Sequence, residues 1–199
     1  AEFILTSGVE LYPQHLQLRF QLVGLLMKLG KYSNAIAHID SEYWPKNNSF
    51  KTILKTHKAI ALSNLGRTGE ALLLFKELDH KDAKEDVLVQ WGHALKYAGQ
   101  FDEAVAKYKQ AYKLNPCFGD AYWSLANTKR YVFEAHEIKK MQTLVESADV
   151  SINDKIHVHF ALGKAYEDKS FFGESFEHYK RGNALKASDL RYSPKSTED

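Results

Sequence analysis

The stretch that decides the fold runs Glu85-Asp-Val-Leu88-Val-Gln-Trp91-Gly92-His-Ala-Leu95-Lys-Tyr-Ala-Gly99-Gln-Phe101-Asp-Glu-Ala104-Val-Ala-Lys-Tyr108-Lys-Gln-Ala111-Tyr-Lys-Leu-Asn-Pro116-Cys-Phe118. Leu88, Trp91 and Leu95 recur at helical i, i+3, i+7 spacing and predict the inner stripe of a first helix. Gly92 is small, as the close crossing of a partner helix requires. Gly99 stands where that helix must end in a left-handed residue without Cβ strain. Ala104 and Ala111 let a second helix pack against the first, and Pro116 stops it.

The same features recur along the chain, and recurrence at such a period is the signature of a repeat array. Gly30, Gly66 and Gly99 stand 36 and 33 residues apart. The packing positions Ala35, Ala71, Ala104, Ile138 and Ser175 follow at 36, 33, 34 and 37. One copy carries Leu22-Val23-x2-Leu26 with Ala35-x3-Ile39, and the next carries Ala59-x2-Leu62 with Ala71-x3-Phe75. A degenerate copy starts near Gly119 with Tyr122-x2-Leu125-Ala126. The last carries Leu162-Gly163-x2-Tyr166, Phe172 and Ser175-x3-Tyr179. Five hairpins are expected, at residues 16–51, 52–84, 85–118, 119–155 and 156–187. Residues 1–15 are expected to form the second helix of an earlier hairpin, because Ala1-x3-Leu5 followed by Pro13 repeats Ala104-x3-Tyr108 followed by Pro116. Ser188–Asp199 is polar, contains Pro194 and lacks a helical period, so it reads as a linker toward an absent domain. The chain is expected to be an excised piece of a longer protein.

The unit at Glu85–Phe118 resembles the tetratricopeptide repeat almost position for position. The resemblance implies an all-α fold, a right-handed superhelical array of tetratricopeptide helical hairpins. A narrower likeness lies in Pro116-Cys-Phe-Gly-Asp-Ala-Tyr-Trp-Ser-Leu-Ala-Asn127 with Tyr131-x-Phe133 and Glu137-Ile138-x2-Met141. It continues in His159-Phe-Ala-Leu-Gly-Lys-Ala-Tyr-Glu-Asp168 with Ser175-Phe-x2-Tyr179-x2-Gly182-Asn183. Pro116–Ala187 resembles the region preceding the catalytic domain of bacterial tetratricopeptide-containing sulfotransferases; the earlier hairpins match only as generic repeats. Thr128, Arg130 and Val132 depart from that pattern. The resemblance implies 3′-phosphoadenosine 5′-phosphosulfate as cofactor of the absent domain and none for this fragment. That domain needs a Gly-rich loop between a strand and a helix. Ser7-Gly8, Leu65-Gly66-Arg67 and Lys180-Arg181-Gly182 are the nearest candidates, and each already has a place in a helix or hairpin turn. No catalytic residue is assigned.

Composition narrows the partners. The 27 basic and 25 acidic residues are spread along the chain and leave a formal charge of +2, without the basic block of a nucleic-acid binder. Apolar runs such as Leu22–Met27 fall far short of the roughly 20 residues that span a bilayer. Cys117 is the one cysteine, so no internal disulfide forms and no cysteine cluster holds zinc, which fits a cytoplasmic location. His157-x-His159 and His136-Glu137 invite a metal, but residues two apart on a helix point away from each other. No metal site is assigned.

A polypeptide partner is expected in the concave groove, on the stripe beside the packing stripe of each first helix. In the third hairpin this stripe holds Asp86, Val89, His93, Lys96 and Tyr97. In the fourth it holds Asp120, Trp123, Asn127, Arg130 and Tyr131, and in the last His157, Phe160, Lys164, Glu167 and Asp168. The expected peptide-contacting set is His93, Lys96, Tyr97, Asp120, Trp123, Asn127, Arg130, Tyr131, Lys164 and Glu167, because aromatics beside hydrogen-bonding and charged groups suit an interface. Trp123 and Phe160 fit equally well as packing residues between adjacent hairpins. The stripe of the first hairpins carries Phe20, Gly24 and Met27, then Thr56, Ile60 and Ser63, which argues against capture of a C-terminal carboxylate there. Two functions follow: a scaffold that presents a polypeptide acceptor to a sulfotransferase domain, or a free-standing adaptor. Apolar faces at the uncapped ends would let two chains associate.

Overall fold

The computed structural model describes residues 1–45, 50–78 and 83–189. Among the described residues there are eleven helices and no strand: α1 (Glu2–Leu11), α2 (Leu16–Lys28), α3 (Tyr32–Ile39), α4 (Lys51–Asn64), α5 (Thr68–Glu77), α6 (Glu85–Tyr97), α7 (Phe101–Leu114), α8 (Gly119–Ala126), α9 (Ala135–Glu146), α10 (Ile152–Asp168) and α11 (Phe172–Asp189). The all-α expectation holds. Helix α11 runs through Ser188 to Asp189, so the linker expected from Ser188 starts inside a helix, and the rest of it, 190–199, lies outside the described residues.

One turn device recurs. Gly30, Gly66 and Gly99 take φ of 69°, 76° and 77°. The N–H of the residue after each glycine reaches back 2.9 Å to the carbonyl of Leu26, Leu62 or Leu95. This left-handed cap satisfies a carbonyl that the ending helix would orphan. The same bond runs from Phe171 to Tyr166 at 2.9 Å, but there Ser170 holds the left-handed position at φ 62°.

The helices divide into two compact units. The first comprises 1–83 and 93–100. Within it α1 packs on α2, α2 on α3, α3 on α4 and α4 on α5. Its core joins Val9, Leu22, Leu26 and Ala35, with Leu5, Leu18 and Met27 around them. Each fully buried leucine contributes roughly 2 kcal/mol by leaving water. Arg19, only 4% exposed, donates 3.0 Å to the Pro13 carbonyl and lies 4.7 Å over the Tyr43 ring. It ties the entry of α2 to the chain beyond α3.

The second unit comprises 84–92 and 101–199. Within it α7 packs on α8, and α10 packs on α8, α9 and α11. A Cβ on Gly92 would stand 2.3 Å from the buried Tyr108 ring, and one on Gly163 would stand 2.7 Å from the Tyr179 ring. The repeat pairs a missing side chain on the first helix with a tyrosine on the second, so volume is conserved. Gly119 sits still closer: its Cβ would meet the Asp154 carbonyl oxygen at 2.2 Å, and its N–H donates 2.8 Å to Asp154 Oδ1. The start of α8 therefore lies flush against the first turn of α10, which Ser151 caps through the Asp154 N–H at 3.1 Å.

Candidate functional site

The fourth hairpin breaks the pattern. Helix α8 has 8 residues where α6 has 13, and it ends at Ala126. Asn127, Arg130 and Tyr131 are therefore not on a helical stripe with Asp120 and Trp123, contrary to the expectation from their spacing. The cause is local hydrogen bonding. The Thr128 hydroxyl donates 2.7 Å to the Leu125 carbonyl and accepts the N–H groups of Tyr131 at 3.2 Å and Arg130 at 3.4 Å. A buried threonine hydroxyl thus offers the backbone partners that compete with the helical ladder. Lys129 then adopts φ 55°, and the chain continues irregularly to Glu134.

Glu137 locks this segment. It is 4% exposed, yet Tyr131 Oη donates to both its oxygens at 2.6 and 2.7 Å, Tyr112 Oη at 2.9 Å and the Glu134 N–H at 2.9 Å. The last bond completes a capping box at the start of α9. Burial pushes the Glu137 carboxyl up, but the bonds from Tyr131, the Glu134 backbone and Tyr112, helped by the Lys109 charge, hold it below the ordinary carboxylate range. Burial and the same carboxylate push the Tyr112 phenol up to about 12. The result is a charged, fully bonded knot under an exposed loop, and such knots rigidify what they hold.

The other expected contact residues have varied fates. Asp120 is half-buried and accepts from the Ser124 hydroxyl at 3.3 Å. Trp123 and Phe160 are half-buried against each other, ring centres 5.7 Å apart, which is the packing alternative. Asn127 and Arg130 are exposed, and the Arg130 guanidinium lies 4.0 Å over the Phe101 ring. Tyr131 is turned inward to Glu137. Lys164 pairs along its own helix with Asp168 and with Glu167 at 3.4 Å, while Glu167 also accepts from Tyr179 Oη at 3.0 Å. These bonds tie Lys164 to its own helix and Glu167 to α11. His93, Lys96 and Tyr97 belong to the first unit; Tyr97 is 67% exposed, with the Lys96 ammonium 6.0 Å above its ring. Val89 and Ser63, placed on the groove stripe by spacing, are buried.

Spacing also missed an interhelical pair. His159 on α10 meets His178 on α11 with Nδ1 atoms 3.0 Å apart, while Tyr166 stacks on His178 at 5.4 Å. One imidazole must donate and the other accept. Burial, the neighbouring His178 and the charges of Arg181 and Lys155 hold His159 down to about 4. Its neighbour His157 keeps a buried Nδ1 without a partner. Among the described residues no group of three or more His, Cys, Asp or Glu is placed to hold a metal ion. None of their helices is long and apolar enough to cross a membrane. Gly8, Gly66 and Gly182 lie in α1, in a hairpin turn and in α11.

Comparison with known proteins agrees with this architecture. The TPR repeat family model matches residues 92–129. The C-terminal part of a TPR repeat-containing protein from Cytophaga hutchinsonii is similar over 84% of this chain, at 19% identity and a TM-score of 0.60, and the chain spans 64% of that structure. Kinesin-light-chain-like TPR repeats from Podosopora anserina are similar over 91% of this chain and 99% of theirs, at 15% identity and a TM-score of 0.63. YrrB, described as a TPR protein with an unusual peptide-binding site, is similar over 96% of each chain at 15% identity and a TM-score of 0.55. No curated protein matches the chain in sequence. The chain thus contains a tetratricopeptide-repeat region, and these likenesses establish its fold.

Proposed function

We propose that this chain is a docking module that holds a polypeptide partner, with the irregular segment 127–134 of the second unit as the principal contact. The observation that carries the reading is the knot around Glu137. A loop whose exposed Asn127, Arg130 and Val132 rest on a buried, fully bonded carboxylate is presented in one conformation, which lowers the entropy lost on binding. Loops on rigid scaffolds are where binding residues concentrate. The peptide-binding site named for YrrB supports a polypeptide as the partner class. Panning the chain against a displayed peptide library and measuring the enriched peptides by fluorescence anisotropy tests this. Asn127→Ala with Arg130→Ala should weaken binding about tenfold or more, with helicity unchanged by circular dichroism. Undiminished binding would remove this segment from the contact.

The finer form of the proposal makes the array the recognition region of a cytoplasmic sulfotransferase that receives its polypeptide acceptor here. What supports it is the resemblance of Pro116–Ala187 described above. The gene beyond Asp199 tests it: a strand, a Gly-rich loop and a helix are expected there, and a stop codon at that point leaves the free-standing adaptor.

A further inference from the structure

We propose that segment 127–134, with the faces of α7 and α9 beside it, is a docking surface for an acidic polypeptide; this rests on the docking reading above and names its partner. Three cations are already oriented there by aromatic rings. The Arg130 guanidinium lies 4.0 Å over Phe101, the Lys109 ammonium 4.7 Å over Tyr131 and the Lys140 ammonium 5.3 Å over Tyr112. A cation resting on a ring face has lost part of its rotamer freedom before a ligand arrives. Lys129 adds an exposed fourth charge on the segment itself.

Among the described residues none of these four cations has a carboxylate within ion-pair distance. Glu137, the carboxylate in their midst, is buried with both oxygens bonded. The exposed Glu134 turns to His136 at 3.2 Å. In the first unit, by contrast, Lys31 pairs with Glu2, Lys55 with Glu77, Lys58 with Asp40 and Arg67 with Glu70. Val132, 61% exposed on the same segment, offers an apolar contact. Carboxylates flanking an aliphatic side chain complement this surface in charge and in chemistry.

The test is anisotropy titration with a fluorescein-labelled glutamate-rich peptide carrying one leucine, its glutamine counterpart and a single-stranded RNA of equal charge. The acidic peptide should bind most tightly and weaken as salt rises. Arg130→Gln with Lys109→Gln should weaken it by about tenfold or more, while Lys109→Arg retains binding and Lys58→Gln in the first unit changes nothing. Equal binding of the glutamine peptide, tighter binding of the RNA, or an unaffected double variant would overturn the proposal. If library peptides that bind segment 127–134 prove uncharged, the acidic partner fails while the docking reading stands.

Discussion

The two units solve the same structural problems with different residues. In the first, every left-handed turn position is a glycine: Gly30, Gly66 and Gly99. In the second the left-handed residues are Lys129 and Ser170, of which Ser170 stands in the glycine's repeat register, and both carry the Cβ strain that glycine avoids. Helix entry differs too. Arg19 donates to the Pro13 carbonyl at 3.0 Å, and Tyr122, 103 residues on, donates to the Pro116 carbonyl at the same distance. The first unit buries a cation for this purpose and the second a neutral phenol. The small-against-large pair is Val23 with Ile39 and Ala59 with Phe75 by repeat register in the first unit, but Gly92 with Tyr108 and Gly163 with Tyr179 in the second. The first unit is built with interchangeable, low-strain parts. The second carries closer contacts, strained turns and a buried charge, the pattern expected where structure is specialised for a partner.

Substitution can break this contrast. The largest effect is expected at Gly119→Ala, because the added methyl would meet backbone that cannot swing aside. Loss of about 3 kcal/mol or more is expected, measured as a lower urea midpoint. Gly92→Ala comes next, at about 2–3 kcal/mol, since the Tyr108 ring it strikes is fully buried. Adding Tyr108→Leu should recover part of that loss, and strict additivity in the double variant would show that the two side chains do not touch.

Acid should act through the second unit's histidine pair. His159 and His178 are held neutral in the folded state, chiefly by burial, and the unfolded chain takes up their protons first. Stability is then intact above about pH 6.5 and falls as the pH drops toward about 4, by on the order of 2 kcal/mol at about pH 5. Arg181 and Lys155 oppose protonation of the pair, and Glu146 favours it at His178. Thermal melts of the wild type and of His159→Phe with His178→Phe would show it, the variant having the shallower dependence. The smallest effect runs the other way: Ser170→Gly should stabilise by about 0.5–1 kcal/mol, whereas Gly66→Ala in the first unit should destabilise by about 1 kcal/mol.

The left-handed glycines and the close crossing at Gly92 were legible because each follows from local spacing and backbone sterics. The break in the fourth hairpin was not. Trp123, Asn127, Arg130 and Tyr131 keep a helical spacing, and no proline or glycine interrupts 120–134, so periodicity alone extends α8 through them. Bonding overrides it, locally through Thr128 and at long range through the Glu137 knot, whose Tyr112 lies 25 residues before Glu137. One sign was present in the repeat register: Phe133 stands where Gly30 and Gly66 stand in earlier copies, and a bulky residue cannot take the left-handed turn cheaply. The bonds that Lys164 and Glu167 make were hidden for a different reason. Their partners Asp168 and Tyr179 also lie at helical or hairpin spacing, and spacing cannot rank a neighbour above a ligand.

The central claim is that the specialised second unit meets its partner at the locked irregular segment. Amide hydrogen exchange followed by mass spectrometry, with and without the acidic peptide at saturation, addresses it most directly. Added protection is expected to be confined to 127–134 and the adjoining turns of α7 and α9, with α1–α5 unchanged and the effect abolished by Arg130→Gln with Lys109→Gln. Protection that appears instead along α10 or in the first unit, and leaves 127–134 exchanging as before, would contradict it.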